Sequence, residues 1–190
     1  MGVFERETQP VKVLIDTNII VDVALDRDPF FTQSEQIVRL AELKQIEGYI
    51  SASTFSDLYY VIRKIKGKGW TFQFLQKMAT VCQIATVDQA VVSMALTTNF
   101  RDFEDAIQYS TAVLNHLDVI VTRNSQDFAG AALTIMAPDT LIQELTNYSW
   151  ASTMYFLKAV GVEAELTAQV VYFEWHPIQH LNLLDRTHAP

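Results

Sequence analysis

The sequence predicts an α/β fold, a mostly parallel sheet covered by helices on both faces. Three observations predict it. Short runs rich in β-branched residues alternate with segments of helical periodicity from residue 11 to residue 146. Glycine, proline and Ser/Thr-x-x-Asp/Glu patterns punctuate the boundaries. Two of the strand-like runs end in polar residues that include acids, at the edge where parallel sheets place their sites.

Residues 1–10 are polar, end in Pro10 and predict a loose arm. VKVLI (11–15) predicts the first strand, and NIIVDVAL (18–25) a helix broken by Pro29. Thr32 and Glu35 form a capping box that opens a helix through about Glu47, with Gly48 as its stop. YIS (49–51) predicts a strand. Thr54 and Asp57 repeat the capping pattern and open TFSDLYYVIRKIK, whose last turn is basic. Gly67 and Gly69 break the chain before a helix over 70–81. QIATV (83–87) predicts a strand, 88–98 a helix, and NFRDFED (99–105) leads into AIQYSTAVLNHL. DVIVT (118–122) is a clear strand, followed by the RNSQDF loop (123–128). LTIMA (133–137) is a weaker strand, and Pro138 opens a short helix.

Composition sets outer bounds. A chain of 190 residues suits one domain, with 147–190 as an appendage. That appendage holds His176, His180 and His188; its YFLKAV run suggests helix and AQVVYFEW suggests strand. Pro177 lies between His176 and His180 and argues against a helical metal pair there. No apolar run approaches the roughly 18 residues that span a membrane, and the N-terminus has no apolar signal core. Gly2 is followed by Arg6 where a myristoylation motif wants Ser or Thr. The lone Cys82 excludes an internal disulfide and suggests a core residue in a reducing compartment. The expectation is a soluble cytoplasmic protein. Lys and Arg number 14 against 22 Asp and Glu, a net charge of −8. That balance argues against broad electrostatic adhesion to nucleic acid. It leaves a metal-dependent nuclease open, because a bound cation reverses the charge of an acidic site locally.

Four acidic positions stand out. Asp16 follows the first strand, Asp57 lies in the first turn of its helix, Glu104 and Asp105 open another, and Asp127 lies in the loop after DVIVT. Each alone is ordinary as a cap or dipole partner. Together they predict several carboxylates on one sheet edge. Like charges so placed resist joint ionisation, and a hard divalent ion such as Mg²⁺ or Mn²⁺ removes the penalty. The implied chemistry is phosphodiester hydrolysis by an activated water. There is no phosphate-binding glycine loop, and one cysteine is too few for a zinc-thiolate site.

L-I-D-T-N at 14–18, S-T-F-S-D-L at 53–58, F-E-D-A at 103–106 and V-T-R-N-S-Q-D-F at 121–128 occur in one order. In that order they resemble the motifs of PIN-domain ribonucleases, including toxins of the VapC type. The resemblance covers about residues 11–146. It implies a PIN-like three-layer α/β/α sandwich and Mg²⁺- or Mn²⁺-dependent cleavage of RNA. It also implies a homodimer and a small antitoxin partner. By position, Asp16 becomes the central metal ligand and Asp105 the third acid, while Asp57 falls where the family usually has Glu. The fourth acid falls at Asn124, which brings no charge, with Asp127 three residues further on.

Thr17, Asn18 and Thr122 are candidates to orient the carboxylates, as against simple turn and cap roles. Glu104 is a ligand or a helix-start acid, and Ser53 a helix cap. Arg123 contacts RNA phosphate or screens the acids. Arg63, Lys64, Lys66 and Lys68, with Trp70 and Phe72 behind them, track an RNA backbone or form a solvated helix end over aromatic core residues. Rival readings are weaker. A haloacid-dehalogenase-type phosphatase needs an acid at position 18, which is Asn, and a receiver domain needs a strand-end Lys that is missing. The non-enzymatic alternative is a PIN scaffold kept for RNA or protein binding, with Asn124 as the mark of a weakened site.

Overall fold

The computed structural model describes residues 10–147. The readings of an N-terminal arm and of the 148–190 segment lie outside the described residues. Contacts divide the chain into two units, Met1–Pro138 and Asp139–Pro190. Residues 139–147, the described part of the second unit, are helical. No helix among the described residues is long and apolar enough to cross a membrane.

The first unit is built on a five-stranded, wholly parallel sheet: β1 (Lys12–Ile15), β2 (Glu47–Ser51), β3 (Gln83–Ala85), β4 (Val119–Val121) and β5 (Thr134–Met136). Its order is β3-β2-β1-β4-β5. Parallel strands need long crossovers, and the first three are helical: α1 (Thr17–Leu25), α2 (Phe31–Glu42), α3 (Thr54–Lys66), α4 (Lys68–Val81), α5 (Gln89–Ala95) and α6 (Phe103–Leu114). From β1 the chain winds outward to β3, then crosses back to β4 on the other side of β1. Right-handed crossovers therefore send the two sets of helices to opposite faces. The contacts agree, with α1, α2, α3 and α4 packing among themselves and α5 packing against α6.

Burial explains the strand sequences. Val13, Leu14, Ile15, Val119, Ile120 and Val121 are all buried, as central strands covered on both faces must be. The edge strands expose polar residues such as Gln83 and Thr134. The β1/β4 register pairs Val13 with Val119, Leu14 with Ile120 and Ile15 with Val121. The next residues, Asp16 and Thr122, therefore leave the sheet side by side. The Asp16 N–H still donates to the Val121 carbonyl at 3.1 Å, and the Thr122 N–H to Met136 at 3.0 Å.

Helix boundaries depart from expectation in instructive places. Thr32 does not cap α2, which begins at Phe31 with no side-chain cap. Gly48 does not end α2 either. Lys44 takes the left-handed conformation (φ 58°) that ends it, and Gly48 lies inside β2. A Cβ on Gly48 would stand 2.8 Å from the Ala41 Cβ, so glycine is there for close helix-to-strand approach. Gly69 lies within α4, leaving Gly67 (φ 77°) as the break. In α4 it is Phe74 that is buried, stacked on Trp70, whereas Phe72 is 47% exposed. Cys82 is buried, as expected, and burial pushes its thiol up to about 12.

Candidate active site

The sheet order reverses between β1 and β4, and ligands of open α/β sheets bind outside the carboxyl ends of the strands at such a point. Asp16 and Thr122 stand there. Asp16 holds the N-cap position of α1, yet its side chain makes no cap bond. The carboxylate is instead held sideways. The Thr122 hydroxyl donates to Oδ2 at 2.6 Å, and the Asn18 amide donates to the same oxygen. Asn18 Nδ2 also reaches the Thr122 Oγ1 at 3.1 Å, and that hydroxyl accepts the Asn124 N–H at 3.0 Å. Asp16 is 6% exposed. Burial is the main reason its pKa rises from 3.8 to about 6, and Glu104 pushes the same way. The Thr122 hydroxyl, the Thr17 backbone amide and Arg123 oppose the shift.

Asp105 arrives from the first turn of α6, which Asp102 caps by accepting the Glu104 N–H at 2.8 Å. Its pKa is also raised to about 6, first by burial and then by repulsion from Asp16, Asp127, Asp102 and Glu104. Asp16, Asp105 and Asp127 thus share one field. Asp127 is half-buried in the 3₁₀ turn Ser125–Phe128, while Glu104 and Asn124 are exposed. Asp57 is exposed in the first turn of α3 and is not among the main causes of either shift.

Two residues beneath the acids were not singled out in the sequence. Gln108, buried in α6, donates through Nε2 to the Thr17 hydroxyl at 3.0 Å and to the Thr54 hydroxyl at 2.9 Å. Thr17 and Thr54 also face each other at 3.3 Å. This bridge ties together α1, α3 and α6, the three helices that carry Asp16, Asp57 and Asp105. Its signal was available, since Gln108 lies three residues after Asp105 and so shares its side of the helix. Ser53 precedes α3 without a side-chain cap bond, and its hydroxyl pairs with Ser51 at 2.8 Å. The second overlooked residue is Asp22, wholly buried in α1. Arg123, expected at the acids or on RNA, turns to it: Nε lies 2.9 Å from Asp22 Oδ2. Its electrostatic influence on Asp16 is the smallest of the effects named above.

The basic segment lies elsewhere. Arg63 rests over Tyr59 and Tyr60, Lys68 over Phe72, and Lys66 over Trp70 while pairing with Asp26 at 3.2 Å. Lys64 is exposed. At 1.5 Å rise per residue, Arg63–Lys66 sits roughly 14–18 Å along α3 from Thr54, at the end away from the acids.

The donor set at the switch point is all oxygen, which suits a hard divalent ion. No three His, Cys, Asp or Glu side chains among the described residues form a ready cage. Mg²⁺ does not require one, since it commonly takes one or two carboxylates and keeps several waters. A buried and a half-buried carboxylate that repel each other, both with raised pKa values, are what such an ion would relieve.

The fold and the site define a doubly wound α/β protein with an acidic centre at its switch point. A family model described as PIN domain matches residues 12–126, more than half of the chain, and the chain belongs to that family. Among curated proteins it is similar to "Ribonuclease VapC1" of Aquifex aeolicus (strain VF5), 26% identical over 133 residues, covering 67% of this chain and 91% of that one. Among solved structures it is similar to a toxin–antitoxin complex from Klebsiella pneumoniae, with a TM-score of 0.51 and 25% identity over 66% of this chain and 97% of that one. A DNA-bound VapBC from Salmonella typhimurium shares the fold at TM-score 0.52 and 16% identity, covering 67% and 98% of the two chains.

Proposed function

We propose that the protein is a divalent-metal-dependent endoribonuclease, the toxin of a toxin–antitoxin pair. The observation that carries this reading is Asp16, buried at the switch point of a PIN fold and held there by Thr122 and Asn18, with Asp105 repelled by it. The similarity to a protein named as a ribonuclease supports the choice of RNA. The similarity to a toxin–antitoxin complex supports an antitoxin partner.

Asp16 and Asp105 would hold a Mg²⁺ or Mn²⁺ ion, with Asp57 and Asp127 joining directly or through water. Such an ion supplies an activated water and neutralises charge developing on the scissile phosphate. The chain's own residues prepare the place. Thr122 and Asn18 both donate to one oxygen of Asp16, fixing the carboxylate. Gln108, from the middle of α6, ties that helix to the first residues of α1 and α3, Thr17 and Thr54. Asn124 offers a carbonyl at the rim in place of a fourth charge. Dimerisation would double the site, and a cytoplasmic location suits an RNA target.

The test is cleavage of single-stranded RNA by wild type and Asp16→Asn, with Mn²⁺ and with chelator. Wild type should cleave only with the ion. Asp16→Asn should lose roughly a thousandfold, the several kcal/mol that metal stabilisation contributes. Cleavage that persists in chelator, or that survives the substitution, would refute the mechanism.

A further inference from the structure

We propose that Asp22 and Arg123 are positioning residues of the site. Their buried ion pair fixes the 122–128 loop and, through Thr122, the carboxylate of Asp16. The kinetic part of this inference rests on the nuclease reading above; its structural part does not.

Asp22 Oδ2 receives the Ser34 hydroxyl at 3.1 Å and the Arg123 Nε at 2.9 Å. The latter is a charge contact rather than an aligned hydrogen bond, and Oδ1 is buried without a partner. An acid so placed depends strongly on its cation, because a buried charge left alone is costly. Arg123 is held on its other side as well. Its guanidinium carbon lies 4.0 Å from the centroid of the Phe30 ring, a cation–π distance. Its side chain is only 20% exposed.

The backbone of the same residue is tied to the same helix. The Arg123 N–H donates to Asn18 Oδ1 at 3.4 Å. Asn18 and Asp22 are four residues apart in α1, so they lie on one face. One face of α1 therefore takes Arg123 by its backbone and by its side chain. The residues on either side of Arg123 meet at the site: the Thr122 hydroxyl donates to Asp16 and accepts the Asn124 N–H. An Arg123 that left Asp22 for a phosphate would strand a buried carboxylate and free the loop that aims Thr122.

The full-length protein tests this with Asp22→Asn/Arg123→Met, which removes both charges together, and with Arg123→Lys, which keeps the charge and loses the planar contact with Phe30. Amide hydrogen exchange, thermal melting and steady-state RNA cleavage with Mn²⁺ are measured on each. The double variant should melt close to wild type yet exchange about tenfold faster at 124–128. Its kcat should fall by about 10–100-fold, the range for losing support behind a catalytic ligand, with KM within about twofold. Arg123→Lys should show the same pattern more weakly, and it stands as the test if the double variant does not fold. Wild-type loop protection in both variants would overturn the proposal. So would a raised KM with unchanged kcat, the mark of an Arg123 that contacts RNA. A wild type that does not cleave RNA defeats the nuclease reading instead, and the exchange rates still decide the role of the pair.

Discussion

The chain has two concentrations of charge, and they are built in opposite ways. At the switch point, Asp16 is buried, Asp105 is partly so, and they repel each other. Hydroxyl and amide groups drawn from distant parts of the chain support them. At the far end of α3 and the start of α4, Arg63, Lys64 and Lys68 lie on the surface, resting on nearby rings or in solvent. The first arrangement opposes folding and has a use only if something relieves it. The second adds little, since the exposed Arg63 and Lys64 are merely favourable neighbours of the α3 C-terminal dipole and Lys68, which opens α4, lacks even that. Density of charge in the sequence therefore points to the wrong end of α3, and burial of charge points to the right one.

Perturbing each region measures the contrast. After the loss of Asp16 itself, the larger effect should come from Thr122→Val, which removes the 2.6 Å donor to Asp16 while nearly keeping the shape. RNA cleavage should fall by about 10–100-fold in kcat, as for other groups that orient a ligand. A change below about threefold would mean that Asp16 needs no such support. The smallest should come from Lys64→Gln/Lys68→Gln. Cleavage at moderate salt should change by less than about threefold, because exposed charges are screened. A tenfold loss with a flatter salt dependence would show RNA running along α3 and would erase the distinction between the two regions.

The sequence made the first region legible only in part. β1 and β4 are apolar runs cut off by Asp16 and Thr122, so their ends could be located from the residues alone. Strand order could not, and it is the order β2-β1-β4 that makes those two residues neighbours. Spacing from Asp105 put Gln108 on the acid-bearing side of α6, but for Gln108 as for Asp22 the role depends on distant partners. Their partners lie 91 and 54 residues away in one case and 101 in the other, and no local pattern encodes such pairs. Arg123 shows the reverse error: beside acids in sequence, it looks like a site residue, yet its side chain turns to a helix 101 residues earlier. The capping boxes misled because Ser and Thr hydroxyls have several uses. Thr54 spends its hydroxyl on Thr17 and Gln108 at the site.

The central claim is that the acids at the switch point are held together against their own repulsion, and that a divalent ion relieves it. Raised pKa values give the sign. Asp16 moves from 3.8 unfolded to about 6 folded, and Asp105 moves the same way, so the folded state holds these protons more tightly. Their contribution to stability is fully present below about pH 4 and is lost as pH rises through 6. For Asp16 the loss is on the order of 2–3 kcal/mol, or about 5–10 °C in melting temperature for a chain of this size. The decisive measurement is the melting temperature of wild type and Asp16→Asn from pH 4 to pH 7, with chelator and with Mn²⁺. The account predicts that, in chelator, wild type loses stability relative to the variant as pH rises, and that Mn²⁺ restores it in wild type alone. Equal pH dependence in the two proteins, with no response to Mn²⁺ at pH 7, would contradict it.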